Sequence, residues 1–107
     1  RMIISTTENI AGYSIKEHLG TVIGNTIRAR HVGKDIMAGL RTIIGGEIKE
    51  YTGMLAESRE QSMMRMKAKA KELGADAVVG VRFQTSMILS GTAELLVYGT
   101  AVKLEKS

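Results

Sequence analysis

The chain has 107 residues, 44% of them hydrophobic and 24% charged, which suits one domain with its own core and excludes a disordered chain. It contains no cysteine, so disulfide scaffolds, thiolate zinc sites, iron–sulfur clusters and thiol nucleophiles are excluded together. A net charge of +4 is too small to imply a polyanionic partner by itself. No apolar run approaches the roughly 20 residues that cross a bilayer, and no basic-then-apolar leader is visible, so a cytoplasmic protein without membrane contact is expected. Met2 reads as the natural start and Arg1 as a cloning-tag remnant, which makes residues 2–107 the single expected domain.

Residues 2–5 form a short apolar start, and residues 6–12 are polar and end in glycine, as a loop would. In residues 13–19, Tyr13, Ile15 and Leu19 fall on one face and Ser14, Lys16 and His18 on the other, the period of a half-buried strand. Residues 21–31 alternate again, with Ile23, Ile27 and Ala29 opposite Thr26, Arg28 and Arg30. A hairpin turning at Gly20 is therefore expected.

From residue 34 the period becomes helical. Ile36, Leu40, Ile43 and Ile44 predict a short helix, with Asp35 near its positive end and Gly45–Gly46 at its close. Residues 47–73 predict one long helix. Ile48, Tyr51, Leu55, Met66, Ala70 and Leu73 recur at three- and four-residue steps, and Ser58 and Ser62 complete the stripe. Acidic residues gather early and basic ones late, in accord with the helix dipole, and Gly74 is the natural cap.

Two strands follow at residues 77–88 and 94–104. The second is apolar on both faces, with Leu95, Val97 and Ala101 opposite Leu96, Tyr98, Val102 and Leu104. One helix covers one face of an antiparallel sheet, so a second cover is required. The short helix or another subunit could supply it, and a subunit is the preferred reading because a bare apolar face invites aggregation. The expected fold is α+β: an antiparallel sheet on one long helix plus a short helix, in a homo-oligomer.

Few residues suggest chemistry. His31 and Asp35, four apart, are the weak candidates for a metal site. They supply two ligands where three or four must converge. His18, on a polar strand face, reads as a surface or interface histidine. Met63, Met64 and Met66 could offer soft thioethers, but packing in an aromatic-poor core explains them better. Gly45–Gly46 could cradle an anion, yet Glu47 follows directly, and a hinge is preferred. Arg65, Lys67, Lys69 and Lys71 step by two around a helix, so no basic stripe forms. Arg28 and Arg30 lack aromatic stacking partners, and nucleic acid is not an expected partner. Catalytic signatures such as a nucleophile elbow are absent, and an enzyme is not expected.

Several segments carry a family resemblance: Ile4-Ser5-Thr6-Thr7; Lys34-Asp35-Ile36 leading to Gly45-Gly46-Glu47 and Tyr51; Leu73-Gly74-Ala75-Asp76-Ala77-Val78-Val79-Gly80-Val81; and Tyr98-Gly99-Thr100-Ala101-Val102. In this order and spacing the chain resembles the YbjQ-like family of small bacterial proteins across its length. The resemblance implies a dodecin-subunit-like fold assembled into a ring, as a homopentamer or a multiple such as a decamer. It also implies a divalent or heavy-metal ion as the ligand class, although this chain has no cysteine and no clustered histidine. Asp76 stands where the family often has Asn. The function expected is thus a ring-forming protein that binds a metal or small ligand. The alternatives are a partner-binding assembly without ligand and an enzyme with its site between subunits.

Overall fold

The computed structural model describes residues 1–29, 43–44, 47–89 and 91–107. Its elements are β1 (Ile3–Ile4), β2 (Tyr13–Ala29), β3 (Ile43–Ile44), β4 (Glu47–Ile48), α1 (Lys49–Glu72), β5 (Ala77–Leu89) and β6 (Thr92–Lys106). The main sheet has the order β1-β5-β6-β2. It is mixed, not purely antiparallel: β1 runs parallel to β5, while β5–β6 and β6–β2 are antiparallel. None of the described helices is long and apolar enough to cross a membrane.

The long helix forms as its stripe predicts, over 24 residues or about 36 Å. It starts two residues later than expected, because Glu47–Ile48 pairs with Ile43–Ile44 as a small ladder. Ile43 and Ile44 are therefore strand residues and not the end of a short helix. The rest of that expected helix, with His31, Asp35 and the Gly45–Gly46 hinge, lies outside the described residues. At the other end Gly74 takes φ +78°. Its N–H donates to Lys71 O and that of Ala75 to Ala70 O, the paired bonds of a Schellman cap.

The expected hairpin does not form. Residues 13–29 are one 17-residue strand, and Gly20 lies in a bulge with φ +119°. Register shifts between Ile15 and Glu17, and again between His18 and Gly20, insert extra residues opposite β6. Each bulge reverses the alternation, because side chains on a strand switch faces at every residue. Ile15 consequently packs with Ala77, Val79 and Val102 on one face of the sheet, and Leu19 packs with Val22, Met66 and Ala70 on the other.

The second bulge cancels the first, so beyond Gly20 the odd-numbered residues return to the face of Ile15 and the even-numbered ones meet α1. Val22, Gly24 and Thr26 are buried, whereas Ile23 and Ile27, the expected core face, are 40% and 58% exposed. Small residues set this contact. A Cβ on Gly24 would overlap Ser62 O and stand 2.5 Å from Met66 N, so only glycine lets the strand lie this close to the helix backbone. Ser58 and Ser62 are buried opposite, and their hydroxyls are used. Ser62 Oγ donates to Leu95 O at 3.1 Å and lies 3.1 Å from Thr26 Oγ1. Arg28 Nε donates to Ser58 Oγ at 2.9 Å, which turns this arginine toward the helix and away from any basic patch. No buried side-chain polar atom among the described residues lacks a partner.

The second cover over β6 comes in part from the chain itself. Ile3, Ile10, Ile15 and Leu104 pack on the buried group of Ala77, Val79 and Val102, on the face opposite the helix-side core. The N-terminal segment had no place in the sequence argument about covers. It protects only one end of this face, and the other end, with Ile23 and Ile27, stays open.

Candidate functional site

The boundary between the covered and open ends of this face is a cleft. It has a volume of about 550 Å³ and is lined by Glu8, Asn9, Ile15, His18, Val79, Gly80, Arg82 and Thr100. Three strands and the N-terminal segment meet there. The central strand β6 contributes Thr100, which pairs with Val79 of β5 on one side and Thr21 of β2 on the other.

Two bulges shape the cleft from either side of β6. In β2 the irregularity between His18 and Gly20 leaves His18 on the open face while Leu19 enters the helix-side core. In β5 the register jumps from Val79↔Thr100 to Arg82↔Tyr98, with Gly80 at φ +63° inside the bulge. Without that extra residue, alternation from Val79 would carry Val81 to the cleft and send Arg82 to the helix side. With it, Val81 is buried in the helix-side core and Arg82 lines the cleft. The bulge is therefore what aims the guanidinium.

Arg82 is held in place. Its Nη1 donates to Thr6 O at 2.9 Å and to Val81 O at 2.8 Å. Both protons of that nitrogen are used, while Nε and Nη2 have no acceptor among the described residues. Glu8 lines the same cleft, yet the one ion pair among the described residues is Arg28–Glu57. Opposite charges thus share the cleft without pairing. His18 and Thr100 add an imidazole and a hydroxyl, and Ile15 and Val79 supply the apolar part.

His18, read from the sequence as a surface or interface histidine, is the one described histidine, and the structure brings it to a cleft. His31 and Asp35 lie outside the described residues. As a metal centre the cleft offers Glu8 and His18, two donors where at least three are needed, with a guanidinium beside them. No group of three or more His, Asp or Glu residues that could hold a metal occurs among the described residues. The described part of one chain does not fit a metal ion. Among the described methionines of this group, Met66 is fully buried, Met63 packs on the core and Met64 is 66% exposed. Arg65 donates to Asn25 O, and Lys67 and Lys71 line a separate depression with Met64 and Asp76.

Glu8, Arg82 and Thr100 went unnoticed in the sequence. The available signal was the glycine at 20 and at 80, each interrupting an alternating strand pattern as bulges do.

The open end of the sheet carries a second feature. β1 pairs with β5 only at Ala77 and Val78, and the N-terminal segment bonds it as far as Val81. Beyond that point nothing among the described residues pairs with the outer edge of β5. Its residues 83–89, Phe-Gln-Thr-Ser-Met-Ile-Leu, include no charge and no proline, and Phe83, Met87 and Ile88 are 46%, 79% and 49% exposed. β2 is the last strand at the opposite side of the sheet.

A protein family described as "Putative heavy-metal-binding", named for YbjQ, matches residues 2–105. A UPF0145 protein of Colwellia psychrerythraea is 56% identical over 98% of this chain and all of its own length. UPF0145 proteins of Thermosipho africanus and Archaeoglobus fulgidus are 57% and 59% identical, covering 99% and 96% of this chain and 98% and 95% of their own. Among solved structures, a protein of unknown function of the DUF74 family from Pediococcus pentosaceus has a similar fold. Its TM-score is 0.69 at 21% identity, over 97% of this chain and 98% of that one.

Proposed function

The chain belongs to the YbjQ-like, UPF0145 family, and from that premise we propose that it is a non-enzymatic, ring-forming protein that holds a small ligand or metal ion. The observation that carries the reading is the outer edge of β5. An open strand edge presents unpaired N–H and C=O groups to any other strand, and soluble proteins normally blunt it with charge, proline or a cover. Residues 83–89 have neither charge nor proline, and they expose Phe83, Met87 and Ile88. A second copy of the chain is the natural cover.

Each copy has two different edges to offer, β5 on one side of the sheet and β2 on the other. Pairing β5 of one copy with β2 of the next is a head-to-tail contact, which closes into a ring when the rotation per copy divides the circle. A pentamer or decamer satisfies every copy in this way. A cysteine-free chain of this kind fits a cytoplasmic location. A metal, in this reading, is bound by groups brought together from neighbouring subunits, since the described residues of one chain supply too few.

Native mass spectrometry of protein purified without added metal is the test. A ring with stoichiometric extra mass is the expected result, and that mass would identify the ligand class. A bare ring would favour a partner-binding assembly. A monomer at micromolar concentration would refute the edge argument.

A further inference from the structure

The cleft between the two bulges allows a sharper statement, which rests on the small-ligand half of the reading above and gives it a site. A guanidinium binds a carboxylate best through two parallel N–H bonds, from Nε and one terminal nitrogen. Arg82 is arranged for this: two backbone carbonyls hold Nη1, and the Nε–Nη2 edge has no acceptor among the described residues. Holding the side chain beforehand removes much of the entropy cost of ordering it on binding.

Glu8 sets the second requirement. It lines the same cleft but forms no ion pair with Arg82. A simple anion would satisfy Arg82 and be repelled by Glu8, and a simple cation would meet the reverse. A ligand carrying both charges satisfies both. Ile15 and Val79 offer contact to a small apolar group, and Thr100 and Asn9 offer further hydrogen bonds. We propose that this cleft binds a small zwitterion of the amino-acid type, its carboxylate on the Nε–Nη2 edge of Arg82 and its ammonium on Glu8.

Matched probes separate the two charges: alanine carries both, propionate only the carboxylate and ethylamine only the ammonium, with inorganic phosphate as a fourth. Each is titrated into the isotope-labelled full chain in its native assembly, and the Arg82 Nε–H resonance is followed by NMR. Alanine is expected to saturate, at least ~10-fold tighter than propionate or ethylamine, which corresponds to one good charge-assisted contact. Glu8→Gln should bring alanine down to the level of propionate. Arg82→Lys, which keeps the charge but loses the fork, should weaken alanine by at least ~10-fold. Glu8 makes no structural bond among the described residues, so Glu8→Gln remains informative even if Arg82→Lys fails to fold. Equal binding of alanine and propionate, tighter binding of phosphate, or no saturable shift with alanine would each overturn the proposal. The titration reads the cleft and not the subunit count, so this proposal and the ring can fail separately.

Discussion

Gly24→Ala is the most direct probe of how the helix is seated. The added methyl would overlap Ser62 O and lie 2.5 Å from Met66 N and 3.1 Å from Met66 Cα. Carbon atoms in contact prefer about 3.5–4.0 Å, so relief requires a shift of roughly 1 Å or more. All three obstructing atoms belong to the helix backbone, which cannot rotate aside as a side chain would. The helix must lift, loosening Met66 and Ala70 from Val22, Val97 and Ala101. Overpacking of a core costs about 1–3 kcal/mol, and a backbone obstacle places this case at the upper end. The stiffer unfolded chain returns about 0.4–1 kcal/mol, leaving a net loss near 2 kcal/mol. For a domain of this size that lowers the melting temperature by about 8–16 °C. Circular dichroism melts at one fixed protein concentration measure it, because assembly also shifts the midpoint. Gly53→Ala is the control. It lies in α1 with nothing within 4 Å of the added atom, and should stabilise by about 0.5–1 kcal/mol through helix propensity. A Gly24→Ala protein as stable as its parent would refute the close-approach account.

Three further outcomes follow from named contacts. Ser62→Ala removes the donor to Leu95 O and the neighbour of Thr26 Oγ1 in a buried setting, and should cost about 1–2 kcal/mol in urea unfolding; an unchanged midpoint would show that the hydroxyl pair contributes nothing. Gly74→Ala meets only ordinary contacts, from Lys103 at 3.7 Å, so its expected loss of about 1–2 kcal/mol reports the left-handed backbone alone. Asp76 Oδ2 accepts from Leu104 N at 2.9 Å. Asp76→Asn keeps an acceptor and should stay within about 0.5 kcal/mol of the parent, whereas Asp76→Ala should lose about 0.5–1.5 kcal/mol, and equal effects in thermal melts would disprove a contribution from this bond.

The helix could be read from residue order because its causes are local. Small and apolar residues at three- and four-residue steps, late lysines and a glycine cap act within one or two turns of each other, and the helix ends where Gly74 predicts. The two C-terminal strands and the family resemblance were legible for similar reasons. The faces of β2 were not. Its alternation is plain in the sequence, but a bulge after Ile15 reverses it and a second after His18 restores it, and a bulge exists only relative to the partner strand. Ile23 and Ile27 look like core residues, yet they lie on the face α1 does not cover, because the helix seats on Val22, Gly24 and Thr26 instead.

The cleft was hidden for the same reason. Glu8, His18, Arg82 and Thr100 are spread over most of the chain and meet only because β5 and β2 flank β6 and both bulge beside Thr100. Periodicity can report which residues share a face within one strand. It carries no information about which strands become neighbours or where their registers slip. Local order therefore decided the elements and their caps, while pairing across the sheet decided what they bury, what they leave open and which side chains they bring together.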